Sequence, residues 1–420
     1  MKLTEIGISN FKCYKDEVNI PVKNINLFTG VNGKGKSTAL QPLLLMRQSI
    51  EHSSNTEEII LNGNCIELGS YTNIRNRFKS EHDPIVFSYK SFIGKDEFTV
   101  KYYFNKNHLN EQSANLKYIS ISGIVKSEIF EFNIDLRKNN KQETSSINSD
   151  FTVNVMEDLF ISENDLKSMQ GNMLIQASLI KKYLNFSRVH YVSADRLGPR
   201  NYYPMKNIGR FIHVGKQGEY TATILYQLRN NTVHKTLLLE EASTETLEDQ
   251  TSVWLSKIFD GGKLKVKSSE AGVAIIELGS SDSISDTNRP VNEGFGLSSV
   301  LPIVVSGLIA RAGDILIIEN PEIHLHPSAQ VQLAHFLVNV SKCEVQIFIE
   351  THSEHFLNAL RIDVKDEVID ASEVGIVYFQ KQEKGIRPEF IQINKDGSIE
   401  KWPEKFFDQA EKDLKRLYGF

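Results

Sequence analysis

The feature that most constrains this chain is a glycine-rich loop between an apolar run and a helix-forming run. The loop reads Gly-Val-Asn-Gly-Lys-Gly-Lys-Ser over Gly30 to Ser37 and follows the apolar run Ile25 to Phe28. Glycines let such a loop curl so that its N–H groups face a phosphate, while a lysine reaches the β and γ oxygens and a serine hydroxyl can bind Mg²⁺. The pattern predicts a strand, a phosphate loop and a helix that bind ATP together with Mg²⁺.

The loop and its flanks supply the expected nucleotide contacts. Lys36 is assigned to the β and γ phosphates, and Ser37 is assigned to the metal. Lys12 lies one strand before the loop, where it either helps to hold the nucleotide or is a solvated turn lysine. The expected contacts are Lys12, Gly30, Asn32, Gly33, Lys34, Gly35, Lys36, Ser37 and Thr38.

A second apolar run, Ile315 to Ile318, ends in the carboxylate of Glu319. Mg²⁺ on a triphosphate needs a hard oxygen ligand that neutralises and orients it, usually through water. This is a Walker B pattern, and it predicts that Glu319 is a metal ligand beside Ser37.

A turn of small residues, Gly294 to Ser299, precedes a long apolar helix predicted over Val300 to Ala312. Such a turn offers backbone donors and the positive end of the helix dipole to an anion, although an ordinary helix cap has the same composition. The expected anion contacts are Gly294, Gly296 and Ser298.

A third apolar run, Val345 to Glu350, is predicted to be the next parallel strand, and His352 follows its end. That position favours a role for His352 in sensing a γ-phosphate. A zinc site is the less favoured alternative, because prolines flank the first two of its histidines and indicate a loop at a subunit interface. Its ligands would be His324, His326, His352 and His355.

The run Arg188 to Val192 is predicted to be a buried strand, and Arg196 and Arg200 lie on the loop after it. Arginines at the end of a strand can serve phosphate chemistry, whereas solvated surface charge is the equally weighted alternative.

Composition predicts a folded, cytoplasmic protein without a membrane partner. The 420 residues carry a formal net charge of −5 with a sequence pI near 6.2, so any nucleic-acid surface must be a local patch. The cysteines are isolated, and neither an N-terminal apolar signal nor an apolar run long enough to span a membrane is present.

The remaining patterns outline the domains. Aromatic and aliphatic residues alternate with polar ones over Ile85 to Phe104 and again over Ile119 to Ile134, which predicts an antiparallel sheet. A polar loop is predicted over Lys138 to Asp150. We therefore place an N-terminal lobe at 1–110, an insertion of strands, polar loop and helices at 111–187, and a C-terminal lobe at 188–420. Further predictions are a strand and turn over Cys65 to Tyr71, and a turn followed by an amphipathic helix over Gly397 to Leu417 that contains Trp402, Phe406 and Phe407.

These motifs occur in the order found in an ABC-type ATPase head, which the chain resembles. Their details are similar to the SMC/RecF-like branch and, within it, to the heads of OLD (overcoming lysogenization defect) family proteins and related bacterial ATPases. The resemblance implies an α/β fold, an ABC-type P-loop NTPase head with a mixed sheet, an antiparallel β subdomain and a helical insertion. The stretches that carry it are Ile8 to Lys12, Gly30 to Ser37, Gly294 to Ser299, Glu319 to Pro327, Glu350 to Ser353 and Asp396 to Phe407.

The resemblance also implies how ATP is used. Two heads would sandwich ATP in a homodimer or higher homo-oligomer, with Gly294 to Ser299 of one copy facing Lys36 of the other. The family's second acid, which orients the attacking water, falls at Asn320. An amide can hold a water but cannot accept its proton, so hydrolysis is expected to be slow unless Glu322 substitutes; a salt bridge at the dimer interface is the alternative for Glu322. The expected catalytic residues are Glu319, Asn320, Glu322 and His352.

The first functional hypothesis is an ATP-hydrolysing sensor or scaffold of a bacterial anti-phage defence system. OLD proteins carry a C-terminal nuclease domain, but no Asp-X-Asp motif follows His352, so the expected effector is a separate protein such as a nuclease. A RecF-like or SMC-like ATPase of DNA repair is the first alternative and makes DNA a candidate partner. A slow or non-catalytic nucleotide sensor is the second.

Overall fold

The computed structural model describes residues 2–125, 127–136, 151–153, 155–169, 171–259, 261, 263–269, 272–279, 295–382, 385–404 and 406–419. The predicted polar loop Lys138 to Asp150 and the predicted anion contact Gly294 lie outside these residues. The chain divides into two compact units. The first comprises residues 1–22, 37–189 and 381–387, and the second comprises residues 23–36, 190–380 and 388–420.

The described residues form strands in two main sheets, together with helices. The strands are β1 (Leu3–Ser9), β2 (Val18–Pro21), β3 (Ile25–Gly30), β4 (Glu58–Ile60), β5 (Ile85–Ile93), β6 (Asp96–Lys106), β7 (Ser113–Val125), β8 (Glu128–Leu136), β9 (Phe151–Val153), β10 (Met156–Glu157), β11 (Phe160–Ile161), β12 (Val189–Val192), β13 (Tyr203–Pro204), β14 (Lys263–Ser269), β15 (Val273–Gly279), β16 (Ile315–Glu319), β17 (Gln346–Glu350), β18 (Val374–Gln382) and β19 (Gly385–Ile391). The helices are α1 (Lys36–His52), α2 (Tyr71–Ile74), α3 (Glu163–Ser168), α4 (Gly171–Tyr183), α5 (Thr221–Leu228), α6 (Leu247–Phe259), α7 (Phe295–Ile309), α8 (Pro327–Ser341), α9 (Glu354–Lys365) and α10 (Gln409–Tyr418).

The first unit is built on a sheet in the order β2-β1-β5-β6-β7-β8-β9, with β4 added along β7. Neighbours pair in antiparallel fashion except β8 and β9, which are parallel. Along β6 the residues Phe98, Val100, Tyr102 and Phe104 are buried and their neighbours are more exposed. This period of two is the one visible in the sequence, and the predicted antiparallel subdomain is confirmed.

The second unit is built on a sheet in the order β12-β16-β17-β3-β18-β19. The strands β16, β17, β3 and β18 run parallel, so their carboxyl ends meet at one edge. Both faces of a parallel sheet are covered, which explains why these strands are apolar almost without interruption. Every residue of β17, for example, is buried.

The core of the second unit lies on one face of this sheet. Leu316 and Ile318 of β16 belong to it, together with apolar side chains of α6, α7 and α8. Trp254 of α6 packs on Phe336 of α8 with ring centroids 4.9 Å apart. Side chains alternate along a strand, so Glu319, the residue after Ile318, points to the opposite face of the sheet.

Helix α7 owes its apolar sequence to burial inside this core. Almost all of its residues from Ser298 to Leu308 are buried. Gly307 is required where α7 meets α8, because a Cβ there would lie 2.7 Å from the Phe336 ring and 2.8 Å from a Val340 methyl group. Within the ranges that the structure describes, no helix is long and apolar enough to cross a membrane.

The C-terminal helix is shorter than predicted. Helix α10 begins at Gln409, so the prediction that it contains Trp402, Phe406 and Phe407 was wrong. Phe406 is instead buried against the ring of Tyr378, with centroids 5.3 Å apart, and lies 5.1 Å from the ring of Trp402. Aromatic packing on β18 therefore determines the path of this segment.

The strand predicted over Cys65 to Tyr71 was also wrong, because this segment is a loop that leads into α2. The side chain of Gln48 in α1 holds the loop: its Nε2 donates to the carbonyl oxygen of Ile60, and its Oε1 accepts the N–H of Ile66 at 3.0 Å. The N–H of Leu68 also donates to the carbonyl oxygen of Leu61 at 2.9 Å, so side-chain and backbone bonds together fix the loop.

Candidate functional site

The phosphate loop lies between β3 and α1, as predicted. Gly30 (φ +136°) ends β3, and only glycine fits there because a Cβ would lie 2.3 Å from the carbonyl oxygen of Phe379. Gly33 (φ +72°) and Gly35 (φ +89°) take left-handed conformations that favour glycine. Apart from Gly33 and its two chain neighbours, no described residue has an atom within 4 Å of the position of a Cβ on Gly33. The loop is therefore bent by its glycines and open at Gly33.

Lys36, the first residue of α1, is only 4% exposed. Its Nζ donates to the carbonyl oxygens of Gly30 at 3.1 Å and Val31 at 3.4 Å, and to Oδ1 of Asn32 at 3.4 Å. Burial lowers the pKa of Lys36, and the carboxylate of Glu350 opposes this shift. The ammonium is thus held inside the loop by acceptors that phosphate oxygens can replace.

Ser37 and Thr38 are partly exposed in the first turn of α1. Within the first unit, the side chain of Thr38 hydrogen-bonds to the thiol of Cys13, which brings the turn containing Lys12 beside this helix start. Lys12 has φ +50°, and its N–H donates to the carbonyl oxygen of Ile74 at 2.6 Å. Burial lowers the pKa of Lys12, so its ammonium is partly shielded from solvent.

Glu319 ends β16 and is aligned with Glu350 at the end of β17. Burial and, second, the carboxylate of Glu350 raise the pKa of Glu319 to about 7. Hydrogen bonds from Tyr191 and from the N–H of Ala194, together with the charge of Arg196, partly offset this rise. Ionisation of Glu319 is therefore less favourable than in water, and a bound cation would favour it.

Arg196 holds the turn that follows β16. Its Nη1 donates to the carbonyl oxygens of Ser193 at 3.0 Å and Glu319 at 2.8 Å, and its Nη2 donates to that of Asn320 at 2.8 Å. Burial lowers the pKa of Arg196 to about 10, and the carboxylates of Glu322 and Glu319 oppose this shift. Arg196 is therefore a partly buried positioning residue, whereas Arg200, the other arginine of this loop, is exposed.

Asn320 and Glu322 connect this turn to the end of β17. Asn320 takes a left-handed conformation (φ +44°), and its N–H donates to the carbonyl oxygen of Glu350 at 2.7 Å. Oε1 of Glu322 accepts the N–H of His352 at 2.9 Å, whereas its buried Oε2 makes no hydrogen bond to the described residues. One oxygen of Glu322 is thus committed to the backbone.

His352 is exposed at the end of β17. Partial desolvation of its ring and, second, the ammonium of Lys36 lower the pKa of His352, while Glu322 opposes this shift. His352 therefore lies within electrostatic range of Lys36 in the phosphate loop.

The small residues predicted to form a turn are the first turn of α7. The helix begins at Phe295, so the predicted start at Val300 was wrong. The hydroxyl of Ser299 donates to the carbonyl oxygen of Gly296 at 2.9 Å and lies 3.4 Å from that of Ile323. These bonds within the first turn and to the loop after β16 offset the low helix propensity of glycine and serine.

The residues at this helix end differ in exposure. Ser298 is only 6% exposed, so its hydroxyl is not presented to solvent. Gly296 is partly exposed and lies against the loop after β16, because a Cβ on it would be 3.0 Å from the carbonyl oxygen of His324. Phe295 is 58% exposed, and its ring lies 5.4 Å from that of His324.

The second unit thus brings acidic and basic groups together at the carboxyl edge of its sheet. Among the described residues, no three His, Cys, Asp or Glu side chains are arranged to hold a metal by themselves. A metal at this edge must therefore take further ligands from water or phosphate. The groups in electrostatic contact are Lys36, Arg196, Glu319, Glu322, Glu350 and His352.

A phosphate loop at the end of a parallel strand, beside a strand that ends in a carboxylate, defines a P-loop nucleotide-binding fold. The chain belongs to the AAA_15 family, described as an AAA ATPase domain, whose model matches residues 1–357. A model described as a protein of unknown function (DUF3696) matches residues 369–417. A search of curated proteins found no significant match. The predicted α/β fold class, with its mixed sheet and antiparallel subdomain, is confirmed.

Solved structures similar to the chain include heads of SMC proteins. One is an SMC head bound to the C-winged helix domain of ScpA, with 11% identity and a TM-score of 0.48 over 94% of this chain and 99% of that chain. Another is the SMC head domain from Thermotoga maritima, with 10% identity and a TM-score of 0.41 over 93% and 98%. A third is the Smc head with an extended coiled coil, bound to the C-terminal domain of ScpA derived from Pyrococcus furiosus, with 11% identity and a TM-score of 0.44 over 99% of each chain.

Replacement of Glu319 by glutamine is expected to stabilise the nucleotide-free protein at alkaline pH. The pKa of Glu319 is raised in the fold from 4.5 to about 7. Ionisation of Glu319 therefore destabilises the folded protein. This destabilisation is absent below about pH 4.5, grows between about pH 4.5 and about pH 7, and is complete above about pH 7. The full cost is roughly 3 kcal/mol.

Thermal denaturation of wild type and Glu319→Gln in EDTA, at about pH 5 and about pH 8, measures this cost. The variant is expected to gain more at the higher pH. Glu344→Gln, on an exposed turn before β17, is the matched control. An equal shift of the midpoint at both pH values would contradict the assigned environment of Glu319.

Proposed function

We propose that this chain binds ATP and Mg²⁺ at the phosphate loop and hydrolyses the ATP. The observation that carries the proposal is the position of Lys36, whose ammonium already lies inside a glycine-bent loop at the carboxyl edge of the sheet. The triphosphate supplies stronger acceptors than the carbonyls of Gly30 and Val31 and would replace them. Ser37, Thr38 and the loop N–H groups would complete the phosphate site.

The residues present fit a magnesium ion. Carboxylates outnumber cationic side chains among the described groups at the sheet edge, and the pKa of Glu319 is raised in the absence of a cation. We assign Glu319 and the hydroxyl of Ser37 to the metal, whose role when bound is to neutralise the phosphates. Phosphate oxygens and water would supply the remaining ligands, as is usual for Mg²⁺.

Turnover is proposed to be slow. Asn320 stands where an acid would orient the attacking water, and its amide cannot accept a proton. Glu322 is the proposed substitute, but one of its oxygens is engaged by the N–H of His352. Loss of a general base typically lowers a rate by about 10² to 10⁴, so long-lived ATP-bound states are expected.

Lys36→Ala is expected to weaken ATP binding about 10- to 100-fold, because a charge-assisted contact to phosphate is lost. Titration with a fluorescent ATP analogue measures the affinity. Lys342→Ala removes an exposed lysine after α8 in the same unit and is the matched control. Unchanged affinity in a folded Lys36→Ala protein would remove the basis of the proposal, and rapid phosphate release by wild type would contradict slow turnover.

We further propose that two copies associate around ATP, with the start of α7 in each facing the phosphate loop of the other. Two exposed apolar side chains support this arrangement: Phe295 at the start of α7, and Val31 on the loop, which is 43% exposed. The hydroxyl of Ser298 is buried, so the proposed contact relies on the helix end, Gly296 and Phe295.

Phe295→Glu is expected to abolish ATP-dependent association, because it places a negative charge opposite the partner's triphosphate. The fold should persist, since an acid in the first turn of a helix is favourable. Sedimentation velocity with Mg²⁺ and a non-hydrolysable ATP analogue measures association. Leu109→Glu, at a fully exposed position in the first unit, is the control. Association that survives Phe295→Glu would refute the arrangement.

The cellular role is proposed to be that of a sensor or scaffold in anti-phage defence, acting on a separately encoded effector such as a nuclease. Support for this comes from the likeness of the Glu319 to Pro327 and Glu350 to Ser353 runs to OLD-family heads. DNA repair is the competing outcome.

Cells that carry the gene with its natural neighbours are expected to resist some phages, and Lys36→Ala is expected to abolish this resistance while Lys342→Ala retains it. Plating efficiency on a panel of phages measures resistance. Survival after DNA damage is scored in the same strains. Sensitivity to damage without any effect on phage plating would favour repair and overturn the defence proposal.

A further inference from the structure

We propose that Glu350 is a second carboxylate of the metal–nucleotide site, acting with Glu319 to hold Mg²⁺ on the phosphates. The inference rests on the proposed binding of ATP and assigns a role to a residue that the motif pattern left without one. Its basis is the placement, burial and charge of Glu350.

Strand register places Glu350 beside Glu319. The parallel strands β16 and β17 pair Glu319 with Glu350 as direct neighbours, so both side chains leave the sheet on the same face. The N–H of Asn320 donates to the carbonyl oxygen of Glu350 at 2.7 Å, which fixes the two strand ends against each other. The two carboxylates therefore share one location at the carboxyl edge.

The surroundings of Glu350 favour a cation. Glu350 is 7% exposed, and its charge acts on both Glu319 and Lys36. Two acids that lie together away from water repel each other unless positive charge is nearby. Lys36 also donates hydrogen bonds to carbonyl oxygens of its own loop, and Arg196 donates hydrogen bonds to the backbone after β16.

Mg²⁺ matches the oxygen ligands that these two carboxylates offer. It prefers oxygen ligands and is commonly held by one or two carboxylates together with phosphate oxygens and water. Within the described residues, no three His, Cys, Asp or Glu side chains are placed to hold a metal alone. Tight metal binding is therefore expected only when the nucleotide is present. A role limited to pairing with Lys36 would instead affect nucleotide binding whether or not metal is present.

Glu350→Gln separates these roles. Binding of a fluorescent ATP analogue is measured in EDTA and then across a Mg²⁺ titration. The expected result is undiminished affinity in EDTA and at least about a tenfold rise in the Mg²⁺ concentration required for half-maximal tightening. Electron paramagnetic resonance of Mn²⁺ gives a second readout, with less Mn²⁺ bound to the nucleotide complex of the variant.

Two further variants are the controls for this test. Glu344→Gln removes a glutamate from the exposed turn before the same strand and should retain the wild-type metal dependence. Glu350→Asp keeps the carboxylate and should recover part of the metal dependence. If Glu350→Gln fails to fold, Glu350→Asp is compared with wild type instead. It is then expected to require more Mg²⁺ than wild type for half-maximal tightening of nucleotide binding.

The outcomes are distinct. Equal weakening of nucleotide binding with and without metal would show that Glu350 acts only by pairing with Lys36, and it would overturn the inference. A wild-type Mg²⁺ dependence in folded variants at position 350 would overturn it as well. Failure of the wild-type protein to bind the ATP analogue at all would instead overturn the proposed function.

Discussion

The second unit must support charged groups that are largely buried at the edge of its parallel sheet. The packing of the rest of this unit depends on that requirement. Glu319 and Glu350 end neighbouring strands, and the ammonium of Lys36 acts on the same small region. Burying such groups is unfavourable in isolation, so the arrangement persists because the apolar strands beneath it are firmly packed. A site of this kind is less stable empty than filled, which is a common property of sites built for a charged ligand.

The backbone at this edge is held as firmly as the side chains. Arg196 binds the carbonyl oxygens of Glu319 and Asn320, and the N–H of Asn320 binds the carbonyl oxygen of Glu350. The guanidinium of Arg196 thus fixes the left-handed turn after β16, and one backbone hydrogen bond joins that turn to β17. Glu322 also accepts the N–H of His352, so a second hydrogen bond joins this turn to the residues after β17.

Sequence patterns predicted the parts of the fold and site that a single segment builds by itself. Lys36 and Glu319 were found because glycine spacing and an apolar run ending in an acid are visible within a few residues. Glu350 showed the same signal as Glu319, but its significance depends on the register between two strands. Arg196 stayed ambiguous because its acceptors are carbonyl groups 123 and 124 residues further along the chain. The start of α7 was misplaced because its small residues are held by a contact with Ile323 that no local pattern encodes.

The position of β3 in the sheet has a consequence for the synthesis of the protein. This strand leads into the phosphate loop, yet its neighbours are β17 and β18, and its contact from Asn26 to Ile347 joins residues 321 apart in sequence. The sheet of the first unit grows largely through consecutive strands, whereas β3 leaves the ribosome long before either partner exists. Gly30 has no strand to pack on until β18 has been made. A nascent chain therefore cannot hold its nucleotide loop against the sheet until β18 has been synthesised.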